Sequence, residues 1–107
     1  MDEATRKKIA YAVAQKAGKR SSAVYGFTDG QHTHMSGSGN SMYDFGTGSH
    51  FSENYDFGRG AHWNFKLNGE KFTGYDFGFG HHFSGSIRGN QVSIYDFGSG
   101  THHNYSL

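Results

Sequence analysis

The chain has 107 residues, and its 10 Lys and Arg stand against 9 Asp and Glu, a formal net charge of +1 that excludes the basic footprint of a nucleic-acid binder. It holds no Cys, which rules out disulfides, thiolate metal sites and cysteine nucleophiles. With 17 Gly, 10 Phe, 7 Tyr and no Pro, the composition suits strands and tight turns rather than a helical bundle, and the length suits one domain over residues 1–107.

The first predicted element is a helix over residues 2–17, where Ile9, Ala10, Val13, Ala14 and Ala17 recur at helical spacing. Asp2 and Glu3 lie near its start and Gly18 follows its end. The alanine-rich side is expected to pack on a sheet, and Arg6, Lys7, Lys8 and Lys16 to form a solvated side. Nothing in this segment has the uninterrupted apolar run of a signal peptide or a membrane span, so the expectation is a cytoplasmic protein with no membrane partner.

Residues 23–107 are repetitive. The motif Tyr-Asp-Phe-Gly-x-Gly-x-His occurs at 43–50, 55–62, 75–82 and 95–102, and a worn copy at 25–32 keeps Tyr25, Phe27, Gly30 and His32. Each unit reads as two short strands and two turns, which predicts an all-β antiparallel hairpin meander of about ten strands with one N-terminal α-helix. Read as three-residue loops, the Gly-x-Gly elements close hairpins that set Asp44 opposite His50, Asp56 opposite His62, Asp76 opposite His82 and Asp96 opposite His102. Three-residue loops between motifs then set His32 opposite Asp44, His50 opposite Asp56, His62 opposite Asp76 and His82 opposite Asp96.

If every loop is odd in length, residues of one parity share one face. Of the 17 aromatic residues after the helix, all but Phe72 are odd-numbered, which predicts one aromatic face and one polar face. The helix is too short to cover so wide an apolar face. The expected architecture is therefore a curved open sheet packed on its helix and on a second copy, a dimer being favoured, with a closed barrel as the alternative. The layout is similar to that of MORN and choline-binding repeats, whose own motifs the chain lacks.

On the polar face this register makes a row of Asp44, His50, Asp56, His62, Asp76, His82, Asp96 and His102. Opposed pairs of this kind fix register and favour protonated imidazoles as pH falls. Imidazole beside carboxylate is also the donor set for a divalent transition metal such as zinc, iron, copper or nickel. Trp63, His81 and His103 are the expected rim of a pocket on the aromatic side. No phosphate-binding loop or nucleophile elbow is present, because the Gly-x-Gly elements join strand to strand. The leading functional expectation is a non-enzymatic, self-associating module that binds a glycan or protein ligand through a regular polar face. The alternative is a metal-binding protein or metal-dependent hydrolase using part of the Asp and His row.

Overall fold

The computed structural model describes residues 1–107. Helix α1 (Glu3–Lys16) precedes ten strands: β1 (Ala23–Gly26), β2 (Gln31–Ser38), β3 (Ser41–Asp44), β4 (Ser49–Phe51), β5 (Tyr55–Asp56), β6 (Ala61–Asn68), β7 (Lys71–Asp76), β8 (His81–Arg88), β9 (Gln91–Asp96) and β10 (Thr101–Ser106). Each strand pairs antiparallel with its neighbours in sequence, and β1 pairs with β10, so the meander closes into a barrel. Closure, not the open sheet, covers the apolar face.

The register differs from the expected one by a single residue at every motif. Tyr43, Tyr55, Tyr75 and Tyr95 lie opposite His50, His62, His82 and His102, whereas Asp44, Asp56, Asp76 and Asp96 lie opposite Ser49, Ala61, His81 and Thr101. Four residues, Phe-Gly-x-Gly, form the loop. The Asp carboxylate accepts the N–H two residues on, at 2.7 Å from Gly46 and 2.8 Å from Gly78, which pulls Phe out of the strand and into the turn. The final Gly carries the left-handed conformation, as at Gly48 with φ 67°.

At the other end, Gly69-Glu70 and Gly89-Asn90 are two-residue loops between paired Asn68 and Lys71 and between paired Arg88 and Gln91. Their glycines have φ 63° and 59° and the following residues have negative φ, as type II′ turns require. Loops of two and four residues are even, so odd numbers change face at each turn. The odd aromatic residues are therefore divided between the two faces.

The motif turns are not level either. Strand β2 meets Gly26 at Gln31 but Asp44 at Met35, a shift of four residues. The corresponding shifts are two on β4 (Ser49 to Phe51), two on β6 (Ala61 to Trp63), two on β8 (His81 to Phe83) and four on β10 (Thr101 to Tyr105). This progressive stagger, fourteen residues around the barrel, is the shear that closure demands. In place of the expected inter-motif His-to-Asp pairs, Met35 faces Asp44, Phe51 faces Asp56, Trp63 faces Asp76 and Phe83 faces Asp96.

Helix α1 fills the lumen. Every residue from Thr5 to Ala14 is buried, the charged Arg6, Lys7 and Lys8 included, so the expected solvated side does not exist at these positions. Only Lys16 remains exposed, at 3.6 Å from Glu53. Asp2 caps the helix by accepting the Thr5 N–H at 2.8 Å. Around the helix lie Met35, Met42, Phe51, Trp63, Phe72, Phe83, Ile94 and Tyr105, all buried. Gly74 and Gly85 leave room for the rings of Phe83 and Phe72; a Cβ on Gly85 would lie 2.6 Å from the Phe72 Cζ.

A buried carboxylate ring and an outer aromatic cluster

Every motif turn joins an odd strand to the next even one, so all five lie at the same end of the barrel. There the motif separates into two layers. Asp44 is 1% exposed and Asp56, Asp76 and Asp96 are fully buried, all facing the helix, while His50, His62, His82 and His102 are exposed on the outside. The expected Asp and His row is thus split across the barrel wall. The Asp-to-His ion pairs, and the pH response argued from them, fall with it.

The inner layer is a ring of carboxylates met by cations from the helix. Consecutive residues on a helix point about 100° apart. Arg6 accordingly reaches Asp96 at 3.2 Å, Lys7 reaches Asp29 at 2.8 Å and Lys8 reaches Asp56 at 3.1 Å, in three different sectors of the barrel. Arg59, from the β5–β6 turn, closes a fourth sector by bridging Asp56 and Asp76, each at 3.2 Å. In the worn first repeat Gly26 stands where the other copies have Asp, and Asp29, three residues further along and itself exposed at the rim, supplies the carboxylate that Lys7 meets.

The helix N-terminus, with its partial positive charge, points into this ring. Although burial raises the Asp96 carboxyl, hydrogen bonds from the Met1 amino group and the Gly98 N–H, together with the Arg6 charge, hold it below its ordinary value. Asp29 is likewise lowered against burial by its bonds to Lys7 and the Gln31 N–H. Tyr105, whose hydroxyl lies 3.3 Å from the Arg6 Nε, is pushed far up by burial.

The outer layer repeats five times. A Tyr ring stands between the Phe of its turn and the His of the next strand, with Tyr-to-Phe centroids 4.7 to 5.1 Å apart and Tyr-to-His centroids 4.5 to 4.7 Å apart. Phe27, Phe45, Phe57, Phe77 and Phe97 remain 56 to 61% exposed. Beside the fourth and fifth clusters a cleft of about 770 Å³ is lined by Tyr75, His82 and Phe97 together with Asn64, Thr73 and Ser84.

Trp63, His81 and His103 do not form a pocket rim. Trp63 is 1% exposed in the core and its indole nitrogen has no partner. His103 is buried between Thr28 and Thr101, each 2.8 Å from a ring nitrogen. His81 faces inward beside Gly98. No group of three or more His, Asp or Glu is placed to hold a metal ion, and the split of Asp from His separates the donor types expected to share one. Two features fall outside the expected row, the exposed Phe of each turn and the three buried cations of the helix. The signal for the latter was three consecutive cations, which no one-sided helix can keep on a single face.

These features define a helix-filled, up-and-down barrel with a charged inner ring and a repeated aromatic exterior. No protein-family model, curated protein or solved structure matches the chain. No helix is long and apolar enough to cross a membrane.

Proposed function

We propose that the protein is a non-enzymatic, multivalent binding module that takes glycans on its outer Tyr, His and Phe clusters. The observation that carries this reading is the set of five phenylalanines, 56 to 61% exposed, each held edge-on by a Tyr at the same end of the barrel. Large rings left in water and locked by packing are a cost to a folded chain unless something covers them. Sugars suit this surface because their C–H faces stack on aromatic rings while their hydroxyls need polar neighbours. The cleft beside Tyr75, His82 and Phe97 offers both, since Asn64, Thr73 and Ser84 line it as well.

Five similar clusters around one rim favour weak individual contacts that add through avidity on a repetitive ligand. A glycan screen followed by titration of a hit tests the proposal. Tyr75→Ala with Phe97→Ala should weaken a monovalent fragment at least about tenfold at that cleft, roughly 1.4 kcal/mol, while binding to a polymer falls less. A blank screen, or titrations that the double variant leaves unchanged, would overturn it.

Self-association belongs to the same reading. Five half-exposed phenyl groups of about 200 Å² each leave on the order of 500 Å² of apolar surface at one end, near the largest patch a monomer carries. A second copy would dock there when no glycan is bound, the two competing for the same rings. Sedimentation velocity should show a dimer in the wild type that Phe45→Ser with Phe57→Ser dissolves, and a monomeric wild type would remove this part of the proposal.

A further inference from the structure

The inner ring is one cation short. Asp29, Asp56, Asp76 and Asp96 each have a Lys or Arg partner within 3.2 Å, whereas Asp44 has none. Its Oδ1 accepts the Gly46 and Thr47 N–H groups at 2.7 and 3.2 Å, but its Oδ2 is buried without a partner. Glu3 Oε1 is in the same position, its Oε2 being held by Arg6 at 2.9 Å. Both residues line one polar cavity of about 210 Å³ at the motif end of the barrel, together with Asp29, Lys7, Thr33 and Thr47.

Burying a carboxylate oxygen with neither a hydrogen bond nor a counter-charge is costly. Lys7 cannot relieve it, because its ammonium is already spent on Asp29, the Gln31 carbonyl and the Thr33 hydroxyl at 2.8 to 3.1 Å. The repeat itself shows how a neighbouring copy solves the same problem. At the position equivalent to Thr47 the next repeat has Arg59, whose guanidinium bridges the Asp of its own turn and that of the following one.

We propose that this cavity is a binding site for a small hard cation of the alkali or alkaline-earth kind, held by Asp44 Oδ2 and Glu3 Oε1. Oxygen donors alone suit such ions, and a cavity with room for several waters would let water complete the coordination shell. The site is independent of the outer clusters, on the opposite side of the barrel wall, and its success or failure does not bear on glycan binding.

The test is thermal melting and direct titration of the chelator-treated protein with Ca²⁺, Mg²⁺, K⁺ and Na⁺ in turn. At least one of these should raise the wild-type Tm by several degrees with saturation at one site. Asp44→Asn should abolish the response, while Asp76→Asn, at a carboxylate with its own Arg, should keep it. Thr47→Arg should supply the missing charge from the protein, raising Tm in cation-free buffer and erasing the response. No response to any of the four ions, a response to Zn²⁺ or Ni²⁺ alone, or an equal response in Asp44→Asn would overturn the proposal.

Discussion

The Asp of each motif caps its own turn through Oδ1, and three of the four, Asp56, Asp76 and Asp96, also present Oδ2 to a cation, as Asp56 does with the Gly58 N–H at 2.9 Å and with Lys8 and Arg59. Asp56→Ala should therefore cost about 3–5 kcal/mol, because it strands the buried Lys8 inside the barrel, while Arg59 keeps Asp76. His62→Ala, which removes an exposed ring packed edge-on against Tyr55, should cost about 0.5–1.5 kcal/mol. Urea denaturation of the two variants reads the difference. The repeat and its strand pairs were legible in the residues, but the face of each side chain was not, since counting the turn as three residues rather than four moves Asp outward and Phe inward. What decides the count is the carboxylate-to-Gly hydrogen bond, which spacing alone does not reveal. The pH response has the opposite sign to the one Asp-to-His pairing implies. Burial and then the Arg6 charge lower the His103 imidazole, with Glu3 and Asp96 opposing. The unfolded chain therefore protonates first, so the stability carried by neutral His103 is full above about pH 6.5 and is lost as pH falls below it toward the lowered folded value. Unfolding free energy should decline from pH 7 to pH 5 in the wild type and less steeply in His103→Asn; parallel slopes would remove His103 as the cause.

At the scale of the element, α1 is a helix that reads as one-sided and is buried all round. Ile9, Ala10, Val13 and Ala14 do lie on one side, but Tyr11 and Ala12 are equally buried on the other, and Tyr11 donates its hydroxyl to carbonyls 3.2 Å away. Its extent, Glu3–Lys16 against the expected 2–17, follows from capping residues visible in the chain. Its environment does not, because a helix lumen exists only once ten strands have closed. Two predictions separate buried from surface charge on this single element. Lys8→Ala should cost about 3–5 kcal/mol by leaving Asp56 short of a buried partner. Lys16→Ala, at an exposed pair of 3.6 Å, should cost less than about 1 kcal/mol. The lumen tolerates no extra volume either: Ala12→Leu, at 1% exposure on the helix, should cost about 1–3 kcal/mol by overpacking.

For the whole molecule, strand number and lumen content are linked. Ten strands spaced about 4.8 Å apart and tilted about 40° enclose a radius of roughly 10 Å, close to the distance at which one packed layer stands from another. One helix with small side chains fits that space, which explains why an alanine-rich segment occupies it and why the sheet closes at ten. The same geometry assigns the weak places. Strands β6 to β9 are joined by ladders of six residue pairs, whereas β1 and β10 share only Tyr25 with Ser106 and Gly26 with Tyr105, flanked by the Phe27 N–H to the Asn104 carbonyl at 3.1 Å. The short ladders cannot be protected by local pairing, so their persistence rests on the helix and on Tyr105, which is fully buried and spans from the seam to Arg6. Native-state hydrogen exchange should then show amides of β7 and β8 exchanging only by global unfolding and the Phe27 amide by a lower-energy opening. Tyr105→Phe keeps the ring and removes only the contact to Arg6, so it should widen this gap by lowering protection at Phe27 more than in β7. Equal loss at both places would mean that the barrel opens only as a whole, with the seam as firmly held as its longest ladders.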